Sequence, residues 1–115
     1  MFKWLKTKKE NNTLTLKNQM FFNARTVGFQ LISLVGSIKE RTWDKDLCDD
    51  ILCDCQDLVR YYANVGEARK TLDSILKGLT LLALNVNETD KETLNGLISH
   101  VTILWKDFKC VEEKI

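Results

Sequence analysis

With 115 residues, 44% of them hydrophobic and 29% charged, the chain has the composition of one globular domain and is too apolar for a disordered protein. The net charge is +1, but from residue 14 onward there are 13 basic against 15 acidic residues, and this slightly acidic body disfavours broad nucleic-acid binding. No apolar run approaches the roughly 18 residues of a membrane span. The chain contains no proline and only five glycines, so helices can run long. The predicted fold is all-α, an antiparallel up-down-up-down four-helix bundle with a short basic N-terminal tail.

Residues 1–13 are predicted to form a basic flexible tail, and residues 14–115 the bundle. The tail carries four lysines before its first acid, namely Lys3, Lys6, Lys8 and Lys9. They are not followed by the apolar segment of a secretory signal, so we expect a cytoplasmic protein with reduced cysteines. Phe2 and Trp4 among these lysines suit an acidic partner or a membrane surface, and a solvated arm is the alternative.

The first helix is predicted from about Leu14 to Glu40. Its core stripe has three- and four-residue steps and consists of Leu16, Met20, Ala24, Val27, Leu31, Leu34, Val35 and Ile38. Phe22 and Phe29 point about 160° away from that stripe, and Gly36 follows two turns later. Both phenylalanines are predicted to bind a partner. Boundary packing in a small bundle is the alternative.

The second helix is predicted from Trp43 or Asp44 to about Asn64, with a core stripe of Leu47, Cys48, Ile51, Leu52, Cys55, Leu58, Val59 and Tyr62. Four aspartates at steps of four, four and three residues stack on its solvent side: Asp46, Asp50, Asp54 and Asp57. This acidic stripe is interpreted either as a docking surface for a basic partner or as an ordinary solvated face.

The three cysteines of this helix raise the question of a metal site. Structural zinc requires a second ligand pair, and Cys53 points about 140–160° away from Cys48 and Cys55. We therefore expect no metal and no cofactor. Cys48 and Cys55 are predicted to be buried, whereas Cys53 and Cys110 are predicted to be exposed.

The third helix is predicted from about Glu67 to Leu84, after a stop at Asn64-Val65-Gly66. Its inward residues are Ala68, Leu72, Ile75, Leu76, Leu79, Leu82 and Ala83. A capping box of Thr89 and Glu92 is predicted to open the fourth helix, because the hydroxyl accepts from a free amide while the carboxylate reaches back. The core residues of the fourth helix are Leu94, Leu97, Ile98, Val101, Leu104, Trp105, Phe108 and Val111.

Apolar residues lie off the core face on three of the four predicted helices. Leu81 and Leu84 do so on the third, and Ile103 and Cys110 on the fourth. Such pairs predict a second buried surface formed by self-association or by a partner. His100 is the only histidine and has no nearby nucleophile or paired carboxylate, so no enzymatic activity is expected.

The four-helix layout and the closing segment 92–106, with its late Trp105, resemble the bacterial and phage four-helix bundle family. That family includes proteins encoded in 23S ribosomal intervening sequences and the accessory variability proteins of diversity-generating retroelements. The resemblance covers about residues 15–110. It implies a helical bundle, and for the retroelement branch an oligomer that binds a reverse transcriptase and its RNA. The acidic second helix departs from the basic character of that branch.

The sequence leads to two functional hypotheses. The first is a non-catalytic protein-binding module, such as a bacterial or phage accessory, inhibitor or immunity protein, that docks on another protein or on itself. The second is an accessory protein of a nucleic-acid enzyme such as a reverse transcriptase. It would contact RNA or DNA through the N-terminal lysines and through Lys17, Arg25, Lys39 and Arg41.

Overall fold

The computed structural model describes the backbone of residues 2–60 and 64–113, and the side chains of residues 18–60 and 64–113. Throughout these ranges the regular secondary structure is α-helical. The elements are α1 (Phe2–Lys39), α2 (Lys45–Arg60), α3 (Val65–Ala83) and α4 (Glu88–Glu113). The prediction of an all-α protein with four helices is therefore confirmed.

The helices pack as a bundle in which each contacts two others. α2 lies between α1 and α3, α3 lies between α2 and α4, and α4 returns to contact α1. Within the described residues no two Cα atoms come within 8 Å of each other across the diagonal from α1 to α3 or from α2 to α4. One shared core results, and its largest fully buried side chains include Phe108, Leu31, Ile38, Ile51, Leu72, Ile75 and Leu79.

Two contacts fix how α1 and α4 lie beside each other. The rings of Phe21 and Phe108 pack edge to face with their centroids 5.1 Å apart. At the other end, the Arg41 guanidinium donates to both carboxylate oxygens of Asp90, at 2.9 and 3.3 Å. The end of α1 thus lies level with the start of α4, and residue 21 lies level with residue 108.

The first helix begins earlier than the sequence analysis expected. α1 starts at Phe2, so residues 2–13, predicted as a flexible tail, are part of its helical backbone. No proline or glycine separates this segment from the rest of α1, and Asn and Thr cost a helix interior less than 1 kcal/mol each. α1 has 38 residues, which correspond to about 57 Å. The side chains of residues 1–17, Leu16 and Lys17 among them, lie outside the described residues, as does Tyr62, which was predicted in the core of the second helix.

The observed N-caps of α3 and α4 differ from the turns predicted before these two helices. Asn64 does not stop α2 in a left-handed conformation, since its φ is −119° and its side chain accepts from the Glu67 amide as the N-cap of α3. α4 begins before the predicted Thr89 cap. The Asp90 amide donates to Asn87 Oδ1 at 2.8 Å, while Asn87 Nδ2 donates back to Asp90 at 3.1 Å. Asn is a strong N-cap residue, and here it is matched by an acid three residues on.

The helical periodicity identifies the core closely, although several predicted core residues, such as Leu34, Leu52 and Leu97, are only partly buried. The predicted inward residues of α3 are buried apart from Leu76, which is only partly buried and lines the outer side of the helix with Leu81. Leu72 and Leu79, on either side of it in sequence, are fully buried. Leu76 lies at the edge of the stripe, where a step of one residue turns the side chain by about 100°.

Leu72→Ala is expected to lower the free energy of unfolding by about 2–5 kcal/mol, because a fully buried leucine leaves both lost contacts and a cavity. Leu76→Ala removes the same atoms from the same helix at a partly solvated position, so its effect should be clearly smaller. Urea unfolding followed by circular dichroism measures both. Equal losses would show that Leu76 belongs to the core.

Candidate partner-binding face

The apolar residues predicted to lie off the core are exposed. Phe22 is 69% exposed, Phe29 51% and Ile103 59%. Phe22 and Phe29 lie on the outer side of α1, and Ile103 lies on the outer side of α4, the helix that α1 contacts directly. We call the outer surface of these two helices the α1/α4 face. Three of the predicted partner-binding residues therefore lie exposed on two neighbouring helices.

Charge is absent from the middle of the α1/α4 face. Residues 26–38 of α1 and residues 93–105 of α4 contain no Lys, Arg, Asp or Glu, and they are the two longest such runs in the chain. The Phe21–Phe108 and Arg41–Asp90 contacts place the two runs side by side. The outward positions are occupied instead by small polar groups such as Ser33, Ser37 and Thr93, which line an open groove of about 610 Å³ together with Gln30, Leu34, Leu97 and His100.

Four of the five glycines divide into two pairs according to what surrounds them. A Cβ on Gly28 would meet Val59 Cγ2 at 2.8 Å, and one on Gly78 would meet Ile51 Cγ1 at 2.6 Å. These two allow close helix packing inside the bundle. A Cβ on Gly36 or Gly96 would meet nothing within 4 Å. Each costs its helix about 0.5–1 kcal/mol relative to Ala, yet nothing within the described structure requires the missing side chain. Both lie within the uncharged runs of the α1/α4 face.

The acidic stripe on α2 is only partly available to a partner. Asp46 and Asp50 are exposed, whereas Asp54 and Asp57 are partly buried. Ser74 Oγ on α3 donates to Asp54 at 2.7 Å, so this carboxylate joins two helices of the bundle. The structure thus leaves two of the four aspartates free to project into solvent, and the stripe is narrower than the sequence predicts.

The basic residues proposed for nucleic-acid binding are engaged within the chain where their side chains are described. Lys39 forms an ion pair with Asp49, which raises the pKa of the lysine. Arg41 is held by Asp90 and also donates to Ser37 Oγ at 2.9 Å. The Arg25 guanidinium lies 5.7 Å from the centroid of the Phe29 ring. These contacts tie the cations to the bundle.

The cysteines lie where the sequence predicted them. Cys48 and Cys55 are buried, Cys53 and Cys110 are exposed, and all four are free thiols. Burial raises the pKa of the Cys55 thiol to about 12, with a smaller contribution from the Asp54 charge. Burial also raises the pKa of Cys48. Across the described residues, no three His, Cys, Asp or Glu side chains are placed to share a metal ion.

Two features were not singled out by the sequence analysis. Trp43, in the connection between α1 and α2, is 80% exposed, although it was considered only as a possible helix start. On the opposite side from α1, α3 and α4 form a cleft lined by Arg69, Trp105, Lys109 and Glu112. Arg69 and Glu112 are paired there at 2.6 Å, and the buried Trp105 Nε1 has no partner among the described residues.

Comparisons with known proteins add no further identification. No family model, curated protein or solved structure matches this chain. The α1/α4 face is therefore interpreted from its own geometry, and the resemblance to the four-helix bundle family stays a prediction. None of the helices in the described residues is both long enough and apolar enough to cross a membrane.

The two pairs of glycines should respond oppositely to alanine. Gly36→Ala and Gly96→Ala should each raise the free energy of unfolding by about 0.5–1 kcal/mol, since the methyl group meets open space and favours the helix. Gly78→Ala should lower it by about 1–3 kcal/mol, because the added methyl forces Ile51 in the core to move. Urea titrations of the three variants at one protein concentration measure this. Stabilisation by Gly78→Ala would contradict the close α2–α3 approach.

Thiol labelling should separate the cysteines into two classes. Cys53 and Cys110 should react rapidly in the native state, whereas Cys48 and Cys55 should react only after unfolding. At pH 8 a thiol with the pKa of Cys55 is ionised to only about one part in 10⁴, apart from its burial. Mass spectrometry before and after adding denaturant counts the labels. Four labels in the native protein would refute the assignment.

Proposed function

We propose that the protein is a non-catalytic binding module that docks on a protein partner through the α1/α4 face. The observation that carries this proposal is the exposure of Phe29 and Ile103 within two adjacent uncharged runs, with the exposed Phe22 one turn before the first run. Exposed aromatic side chains next to an uncharged surface are typical anchors of protein interfaces, and charged residues are depleted from the centre of such interfaces. A bacterial or phage accessory, inhibitor or immunity protein in the cytoplasm is the class we propose.

The bundle geometry supports a rigid docking platform. The contacts of Phe21 with Phe108 and of Arg41 with Asp90 support the up-down-up-down antiparallel arrangement. In that arrangement the two uncharged runs lie side by side on helices whose inner sides are buried in one core. A binding surface built on such helices changes little when a partner arrives, so little ordering cost opposes binding.

An accessory role in nucleic-acid binding is the second hypothesis, and it is less well supported. Lys39 and Arg41 already neutralise Asp49 and Asp90, and a phosphate would have to displace these carboxylates. Binding of that kind would weaken steeply between low and moderate salt. Binding through the α1/α4 face should change little with salt, because the face lacks charge in its centre.

The double variant Phe22→Ser with Phe29→Ser tests the proposal. Each ring buried at an interface is worth about 1.5–3 kcal/mol relative to exposure, so losing both should abolish partner capture or self-association. The helical circular dichroism signal and the cooperativity of unfolding should remain, because neither ring is in the core. Affinity capture from the native host and sedimentation of the purified chain provide the measurements.

A matched control is Leu81→Ser with Leu84→Ser. These leucines are 53% and 74% exposed on α3 and just after it, outside the α1/α4 face. This pair should leave both measurements unchanged. Binding that persists in the double phenylalanine variant but is lost in the double leucine variant would show that the interface lies on α3. Unfolding of the phenylalanine variant would place the rings in the core instead.

A further inference from the structure

We infer that the α1/α4 face binds a second copy of this chain, related to the first by a two-fold axis that crosses α1 and α4 at right angles. The inference rests on the proposed function, since it names the partner of the same face. It draws on the positions of two large side chains and two glycines, on the uncharged character of the face and on its area.

On both helices a large side chain and a glycine are separated by the same number of residues. Phe29 and Gly36 are seven residues apart on α1, and Gly96 and Ile103 are seven residues apart on α4. Seven residues are close to two turns, so each pair lies on one side of its helix about 10.5 Å apart. The contacts that align α1 with α4 place Phe29 and Ile103 toward one end of the face and the two glycines toward the other.

One rotation brings each large side chain onto an open glycine. The midpoint of the α1 pair falls beside Ser33, and the midpoint of the α4 pair falls beside Ser99. By the alignment of the helices, these midpoints differ by only about two residues, or 3 Å, along the bundle. A two-fold axis that lies between the two copies and passes over both midpoints packs α1 of one copy against α1 of the other. It packs α4 against α4 in the same way, and the two helices of each pair run in opposite directions.

Four contacts then form, as two symmetry-related copies of each of two residue pairs. Phe29 of each copy lies over Gly36 of the other, and Ile103 of each copy lies over Gly96 of the other. This accounts for helix-interior glycines whose missing Cβ has open space in the single chain. An interface in which the same patch serves both copies is the usual form of a homodimer.

The charge distribution also favours a second copy over a charged partner. An uncharged face can meet itself without placing like charges opposite each other or removing ionised groups from water. A two-fold contact formed through α2 would bring the exposed aspartates of both copies close together, whereas the α1/α4 runs contain no such group. The surface is thus suited to contact with an identical surface.

The area of the face sets the expected strength. From Phe22 to Gly36 the face is about 21 Å long, and two adjacent helices are about 20 Å wide, which gives on the order of 400 Å² per copy. A standard stable interface buries about 800 Å² per partner. We therefore expect a weak dimer that forms as the protein concentration rises and dissociates on dilution, with a dissociation constant on the order of micromolar.

Sedimentation velocity of the purified full chain, from about 1 to 500 µM, measures this equilibrium across the expected range. Gly36→Leu and Gly96→Leu fill the space that Phe29 and Ile103 would occupy, so each should weaken dimerisation at least about tenfold. Both variants should stay folded, because the single chain has room for the side chain. Gln56→Leu adds the same side chain on the exposed side of α2 and should leave dimerisation unchanged.

Cross-linking tests the position of the axis independently. In a background of Cys53→Ser and Cys110→Ser, Ser33→Cys should give a disulfide-linked dimer under mild oxidation, because two copies of residue 33 meet near the axis. Gln56→Cys should not. Sedimentation without oxidant shows whether the same background dimerises without the bond.

The outcomes separate this inference from the proposed function. A chain that stays monomeric over the whole concentration range, yet captures a partner in a manner that depends on Phe22 and Phe29, overturns the inference and leaves the proposed function standing. A dimer that tolerates Gly36→Leu and does not cross-link through residue 33 also overturns it, because another surface must form that dimer. Binding and dimerisation that both ignore Phe22 and Phe29 would refute both proposals.

Discussion

The contact between the first and last helices is the constraint on which the rest of the molecule depends. Three of the four helix contacts join helices that follow one another along the chain, namely α1–α2, α2–α3 and α3–α4. The α1–α4 contact joins the first helix to the last and closes the core on its fourth side. Phe21 and Phe108 secure one end of this contact, and Arg41 with Asp90 secures the other. Asp90 also accepts from Asn87 at the start of α4, so a helix cap and the closure of the bundle share one carboxylate. The alignment of the uncharged runs follows from that closure.

The helix-interior glycines show how the same residue can serve two different surfaces. Gly28 and Gly78 allow α2 to approach α1 and α3 closely, and the cost of glycine in a helix is offset by that packing. Gly36 and Gly96 have no such contact within the described structure, and each lies two helical turns from an exposed apolar residue, Phe29 on α1 and Ile103 on α4. A surface that combines bulky apolar groups with gaps resembles one half of a packed interior.

Most of the fold could be predicted from the sequence because burial and the helical period act together in every segment. The buried positions of α1 and α4 and the two buried cysteines follow from steps of three and four residues. Errors arise where two local signals overlap. Asn87 and Asp90 compete with Thr89 and Glu92 for the start of α4. The hydrogen bonds between Asn87 and Asp90 show which cap forms, and the tertiary contact of Arg41 with the same carboxylate supports it. The partial burial of Leu76 depends likewise on where α2 and α4 lie.

The candidate face could be predicted only in part for a similar reason. The outward direction of Phe22, Phe29 and Ile103 follows from periodicity within each helix, and their exposure confirms it. The alignment of residues 26–38 with residues 93–105 is a tertiary property, since it depends on which helices are neighbours and at what level. The open surroundings of Gly96 and the exposure of Trp43 are tertiary in the same sense. The N-terminal segment shows a local signal that could have been used. No proline or glycine between Phe2 and Leu14 interrupts the helix, so α1 extends back to Phe2.

Closure of the bundle between its first and last helices also bears on the order in which it forms and opens. The α1–α2 and α3–α4 helix pairs join neighbours across short connections, whereas Arg41 and Asp90 are separated by 49 positions. Loop-closure entropy grows with the length of chain enclosed, so these pairs are expected to form before the α1–α4 seam. The same seam is then where the folded protein opens most readily, and amide exchange along it would report that opening. A molecule bound across α1 and α4 would hold this seam closed, so binding and slow unfolding would be coupled in one surface.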